Sequence, residues 1–146
     1  MEDDKIIILK NGIDVFGKKI EILINGEIIE KISENIDIEG KLVMPGVIDV
    51  HTHMREPGIT YKEDFATGSR ACAKAGITTF YDMPNTIPTT TTLENLLEKK
   101  KLAREKAIVN FGFHFGGSKN DNVEEIKKVL SSGEANTVKI FMNVTT

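Results

Sequence analysis

HTHMREPG, residues His51 to Gly58, sets two imidazoles, a guanidinium and a carboxylate into six consecutive positions. Neutral imidazole is a common zinc ligand, and residues i and i+2 of a strand project to one side, so His51 and His53 can reach one ion. Spacing alone fits a pair of hydrogen-bonded surface histidines better. The apolar run LVMPGVIDV just before them places the pair at the end of a buried strand and brings the metal reading level with that one. Arg55 continues the same parity, and if the chain stays extended to Pro57 its planar fork faces the same way. Such a fork can grip a carboxylate with two parallel hydrogen bonds; otherwise Arg55 is a solvated loop residue. Glu56 points away and reads as structural, and Pro57-Gly58 turns the chain out of the strand.

Lys139 is the second anomaly. In TVKIFMN alternation puts Val138, Ile140 and Met142 on one apolar side and Thr137, Lys139 and Phe141 on the other. A buried unpaired ammonium is costly. Two solutions are open: a salt bridge, for which Asp49 is a candidate, or reaction with carbon dioxide to give a carbamate able to bridge two metal ions.

The elements that must position these groups follow from the punctuation of the chain. Up to residue 45 short β-rich runs are broken by Asn11-Gly12 and Asn25-Gly26, dipeptides typical of hairpin turns. Residues 1–45 are therefore expected to contribute a partial antiparallel sheet. Beyond Pro45-Gly46 strands alternate with helical stretches, the grammar of parallel βαβ units. Expected strands are Val47–His53, Thr78–Met83, Ile108–Phe115 and Thr137–Asn143. Helices are expected after the capping boxes Thr60-x-x-Glu63, Thr91-x-x-Glu94 and Asp121-x-x-Glu124, with the first running from Tyr61 to Ala75 and Gly76 and Gly133 closing the first and third. The second carries Leu93, Leu96, Leu97, Ala103 and Ala107 on its apolar face, and the third Val123, Ile126 and Leu130. Val47, Asp49, His51 and His53 share one face of their strand, and Ile48, Val50 and Thr52 the helix-covered one. A β/α barrel takes about 250 residues, so residues 46–146 supply about half of one. Open strand edges suggest the N-terminal portion of a longer polypeptide or one piece of a split one, inactive and aggregation-prone by itself.

Bulk properties exclude several classes. A net charge of -3 gives no basic field for nucleic acid or acidic membranes. No apolar run approaches the roughly 20 residues of a membrane helix. The acidic start MEDDK and the single Cys72 point to a cytoplasmic protein without disulfides.

VMPGVIDVHTHMREPG followed by GITTFYDMPNTIPTT resembles dihydroorotase, a cyclic amidohydrolase of the metal-dependent barrel superfamily. The likeness runs from KLVMPG through the MPNT run to VKIFMN. It implies an α/β fold, the N-terminal part of a TIM-type barrel preceded by strands of a small β-sandwich. It further implies that His51 and His53 bind zinc, that Lys139 is a carboxylated lysine bridging two ions, and that Arg55 and Asn85 hold the substrate carboxylate. Some members use an aspartate for the bridge, and TIPTTTT departs from a loop that often carries a second proline and an acidic residue. His114 falls outside the family's ligand positions and is expected to be structural; the proton-shuttling aspartate and two further histidines lie later in the family's chains. The activity implied is reversible hydrolysis of dihydroorotate to N-carbamoyl-aspartate in pyrimidine biosynthesis. Partners implied are that small molecule, the remainder of the barrel and, in some members, aspartate carbamoyltransferase. The alternatives are a related cyclic amidohydrolase of allantoinase or dihydropyrimidinase type, and a non-catalytic barrel relative acting in assembly.

Overall fold

The computed structural model describes residues 6–25, 28–33, 41–117 and 122–142, and the chain divides into two compact units between Pro45 and Gly46. In the first unit β1 (Ile6–Ile13), β2 (Lys19–Asn25) and β3 (Ile28–Ser33) form an antiparallel sheet in the order β1-β2-β3. Asn11-Gly12 is not its first turn. It lies within β1, where Asn11 adopts φ 58° and the register slips between Leu9 and Gly12, so a left-handed residue serves a bulge and the strand continues. The reversal comes at Asp14–Lys18. There the Asp14 carboxylate accepts the backbone N–H groups of Phe16 (2.9 Å) and Lys18 (2.8 Å), and Gly17 supplies φ 82°. The Asn25-Gly26 turn falls partly outside the described residues, though Asn25 stands opposite Ile28 as a tight hairpin requires. Among the described residues this unit has one sheet, not the two layers of a sandwich.

The second unit alternates strand and helix: β4 (Val47–Thr52), α1 (Phe65–Lys74), β5 (Ile77–Asp82), α2 (Leu93–Lys106), β6 (Asn110–Phe113), β7 (Phe115–Gly117), α3 (Val123–Ser132) and β8 (Val138–Ile140). β4, β5 and β6 are parallel neighbours, as are β7 and β8. β6 and β7 are one line of chain interrupted at His114. The His114 N–H donates to the Asp82 carbonyl on the β5 side (3.0 Å), and the next N–H, of Phe115, donates to Thr137 on the β8 side (3.0 Å). The strand thus changes partner in a single residue. Four parallel strands with helices between them make a portion of a β/α barrel, and α1, α2 and α3 cover one side. Phe65 of α1 stacks against Phe80 of β5 at 6.3 Å and meets Phe113 of β6 edge-on at 6.0 Å, within a core that includes Cys72, Leu96, Ala103, Phe115 and Val129.

Each helix starts differently from the pattern expected of it. α1 begins at Phe65 because Asp64, not Thr60, is its cap: the carboxylate accepts the Thr67 N–H at 2.7 Å. Residues 60 to 62 form a turn instead. α2 is capped by Thr92 (3.2 Å to the Asn95 N–H), one residue later than expected. At α3 Asn122 occupies the cap position, but its amide donates to the carbonyls of Thr91 and Gly116; Asp121 lies outside the described residues. Gly133 ends α3 at φ 71°, as its position predicts. The buried faces also shift. Leu97 and Leu130 are exposed, whereas Val129 and, unexpectedly, Lys99 are fully buried. Among the described residues no helix is long and apolar enough to cross a membrane.

Candidate active site at the strand ends

The chemistry of the site begins with an irregularity in β4. Asp49 pairs with Phe80 and Thr52 with Asp82, so three steps along β4 match two along β5 and one extra residue is accommodated between them. Phe80 and Asp82 both face the helices and are fully buried. Paired residues share a face, so Asp49 and Thr52 face the helices too. This overturns the simple alternation: Asp49 does not share a side with His51 and His53, and Ile48 and Val50 are each 59% exposed. His51 and His53, flanking Thr52, are thereby turned to the open face of the sheet, with ring centroids 5.5 Å apart. The Asp49 carboxylate accepts the His51 backbone N–H at 3.0 Å and helps raise the pKa of the Cys72 thiol in α1, an effect due first to burial.

His53 is the better ordered of the two rings. Its Nδ1 lies 3.0 Å from Asn85 Oδ1. The amide oxygen can only accept, so Nδ1 carries the proton and Nε2 keeps its lone pair. Burial, then the Arg55 charge, lowers the pKa of His53 against the raising effects of Asn85 and Asp82, which favours the neutral, ligating form. Asn85 itself is buried at the end of β5. His51, His53 and Asn85 therefore gather at one place, with the Arg55 charge near enough to act on His53.

Arg55 does not continue an extended strand. It sits at φ 61°, the left-handed region that costs a non-glycine residue about 1–2 kcal/mol. Its carbonyl accepts the Ile59 N–H at 3.0 Å, closing a turn that contains a cis Glu56-Pro57 bond and Gly58 at φ 86°. A Cβ on Gly58 would come within 2.2 Å of the Ile87 carbonyl oxygen. The turn after β4 is thus pressed against the loop after β5, and the Ile87 N–H donates to the Pro57 carbonyl at 3.1 Å. Glu56 points away from the histidines, as expected, but this turn and not strand parity takes it there, and it is buried. One carboxylate oxygen accepts the first N–H of α1, from Phe65, at 3.1 Å, and the other pairs with Lys106 at the end of α2.

Lys139 is on the open face with the histidines, because its neighbour Val138 pairs with the buried Phe115. The candidate ion pair with Asp49 does not form. Asp49 faces the opposite side, and the Lys139 ammonium lies 5.3 Å from the centroid of the Phe141 ring. His114 stands between Lys139 and the histidines and has both nitrogens engaged. Its Nε2 is 2.8 Å from the Val50 carbonyl, which can only accept, so Nε2–H donates; Nδ1 then accepts from the Thr137 hydroxyl at 2.9 Å. The Val50 carbonyl belongs to the bulge, where the ladder to β5 is interrupted, so His114 satisfies what the irregularity frees.

The feature that residue patterns missed is a buried pair beneath the site. Lys99 Nζ is 2.7 Å from Asp82 Oδ2 and donates to the Met83 carbonyl at 2.8 Å. Asp82 Oδ1 accepts the Met54 N–H at 2.7 Å. The signal was present: Lys99 falls between Leu96 and Ala103 on the apolar stripe of α2, where a cation needs a partner.

Two imidazoles with a free Nε2 on at least one suit a zinc ion in donor type. Among the described residues no group of three or more His, Cys, Asp and Glu side chains is gathered for a metal, so these two could supply only part of a coordination sphere. A parallel α/β sheet whose polar groups collect at the carboxyl ends of its strands is the arrangement of β/α-barrel enzymes. The Amidohydrolase family model matches residues 42–145. The chain belongs to the amidohydrolase family. It is 37% identical to a dihydroorotase of Methanosphaera stadtmanae over 96% of this chain and 34% of that protein, and 42% identical to an allantoinase of Streptomyces avermitilis over 66% of this chain and 22% of that protein. Its structure resembles the L-hydantoinase (dihydropyrimidinase) of Arthrobacter aurescens with a TM-score of 0.73 and 29% identity, covering 90% of this chain and 35% of the other. The chain thus spans about a third of the length of these relatives or less.

Proposed function

We propose that the protein containing this chain is a dihydroorotase, hydrolysing the ring amide of dihydroorotate to N-carbamoyl-aspartate and running the reverse closure. The grouping of Arg55, Asn85 and His53 carries the reading: a guanidinium and an amide stand beside an imidazole whose outer nitrogen is free to bind metal. The substrate differs from other cyclic amides in its ring carboxylate, and Arg55 with the Asn85 amide N–H supplies donors for it. Desolvation around His53 strengthens that contact. His51, His53 and a carboxylated Lys139 would hold two zinc ions, with the remaining ligands and the proton-shuttling aspartate on the other part of the barrel. Bound zinc supplies Lewis acidity to a carbonyl and makes hydroxide available near neutral pH. The chain's own residues fix the substrate's orientation: Arg55 and Asn85 hold its carboxylate at the mouth of the strands, and the proton on His53 Nδ1, held by Asn85, keeps Nε2 turned outward. The rest of the barrel comes from a continuing or separate polypeptide, and residues 1–45 belong to a small β-sandwich domain. Pyrimidine synthesis would place the protein in the cytoplasm, with aspartate carbamoyltransferase a candidate neighbour.

Similarity to an allantoinase and a hydantoinase favours a second reading, a cyclic amidohydrolase whose substrate lacks the carboxylate. Turnover of dihydroorotate and of hydantoin by the full-length protein and its Arg55→Ala variant separates the two. The dihydroorotase reading expects loss of at least ~10²-fold in kcat/KM for dihydroorotate, about the 3 kcal/mol of a lost charged hydrogen bond. Unchanged turnover of dihydroorotate by the variant would sink the carboxylate role. A correctly folded full-length protein without zinc would point to a non-catalytic assembly role.

A further inference from the structure

We infer that the buried Asp82–Lys99 pair is a positioning clamp that sets the two strand ends of the site in register from behind. The inference rests on the reading of His51 and His53 as metal ligands. Asp82 and Lys99 are both fully buried, on the helix side of the sheet, and neither faces the open side where the candidate ligands stand. Besides the pair itself, their contacts reach the segment that follows His53 and the loop that carries Asn85. Asp82 Oδ1 accepts the N–H of Met54 at 2.7 Å, the peptide between His53 and Arg55. Lys99 Nζ donates to the carbonyl of Met83 at 2.8 Å, two residues before Asn85, and reaches the Thr90 hydroxyl at 3.4 Å in the same loop. Lys99 Nζ and Asp82 Oδ2, at 2.7 Å, close the circuit. The Phe113 ring lies 5.3 Å from the ammonium and keeps water from it. The clamp therefore ties the segment after β4 to the segment after β5 through charge-assisted hydrogen bonds, which are strong and directional in a dry interior.

An apolar pair of similar size would hold the fold as well, since well-packed hydrophobic residues often replace a buried ion pair without loss of stability. Such a pair has no acceptor for Met54 and no donor for Met83. The two orphaned backbone groups lower stability, and the effect on the site is distinguished from that loss by where amide exchange rises. Residues that orient metal ligands from behind typically change metal affinity or activity by about 10–100-fold when removed.

The test is the Asp82→Leu/Lys99→Met double variant of the full-length protein, followed by denaturant unfolding, amide hydrogen exchange and zinc competition with a chelator. The clamp predicts a protein that still unfolds cooperatively, less stable than the parent by no more than the cost of the orphaned Met54 N–H and Met83 carbonyl. Exchange should rise at least ~10-fold at residues 52–56 and 83–86 but not in α3, and zinc should bind about 10–100-fold more weakly. Unchanged zinc affinity, or exchange raised equally in α3, overturns the proposal. If the double variant does not fold, Asp82→Ala, which leaves the Met54 N–H no side-chain acceptor, carries the test: faster exchange of the Met54 amide with α3 unchanged supports the clamp, and an unchanged Met54 amide overturns it. A parent protein that binds no zinc overturns the metal-ligand reading, and the exchange pattern alone then upholds or overturns the clamp.

Discussion

Gly58→Ala tests whether the contact between the two site loops is as close as the structure shows. Two penalties arise at this position. The first is conformational: at φ 86° an alanine pays the left-handed cost of about 1–2 kcal/mol. The second is steric: the new Cβ would stand 2.2 Å from the Ile87 carbonyl oxygen and 2.6 Å from the Ile87 Cβ. Ordinary contact needs about 3.4 Å or more, so one loop must retreat by roughly 1 Å, an overpacking change that typically costs about 1–3 kcal/mol. Gly133 isolates the first penalty, because it sits at φ 71° with nothing within 4 Å of an added Cβ. Gly133→Ala should therefore cost about 1–2 kcal/mol in denaturant unfolding, and Gly58→Ala about 2–5 kcal/mol. The retreat also displaces the loop that carries Asn85. A displacement of 1 Å in a positioned group can lower turnover by about 10²-fold, so Gly58→Ala should lose activity out of proportion to Gly133→Ala. Equal destabilisation by the two variants, within about 0.5 kcal/mol, would refute the reasoning.

Three further outcomes are expected. Phe80→Ala removes a fully buried ring stacked on Phe65 and should cost about 3–5 kcal/mol by calorimetry or denaturant. Asp64→Ala should cost about 1 kcal/mol through loss of the α1 cap. Because the Thr67 backbone and hydroxyl hydrogen bonds lower the Asp64 pKa below its ordinary 3.8, this stabilisation is complete above that value. It is lost as pH falls through the depressed one, so parent and variant stabilities should converge only in strong acid. Glu56→Ala strips the Phe65 N–H and Lys106 of their shared acceptor and should destabilise by about 1–3 kcal/mol, with faster amide exchange in the first turn of α1.

What could be seen in the sequence was what depends on residue type and local order. Alternating strands and helices after Pro45, Gly133 as a helix end, and His51 and His53 on one face all follow from such information, whereas Asn85 was joined to them only by the family resemblance. Register is different. A β4 that gains one residue against β5 breaks strict alternation, and no residue between Asp49 and Thr52 marks the place, so the side taken by Asp49 was misjudged. Helix starts shifted by one to four residues because Asp64 and Thr92 are good caps lying just beyond others of equal promise in sequence. Lys99 went unnoticed among the lysines of LEKKKLAREK, although its spacing from Leu96 and Ala103 sets it on the apolar stripe; its partner Asp82, on another element, became visible only with the packing of α2. Glu56, by contrast, had the right side but no role until its partners on α1 and α2 were visible.

The extra residue in β4 has a genetic consequence. An in-frame loss of the Val50 codon would leave every histidine, the arginine and the asparagine encoded as before, and a motif search would still find H-x-H-x-R. The shortened strand would pair evenly with β5, with Thr52 still opposite Asp82 and both imidazoles still on the open face, but the carbonyl to which His114 donates would be gone. Substituting a histidine removes one ligand; deleting Val50 would leave both in place and release the ring that ties β4 to the strand line of β6 and β7.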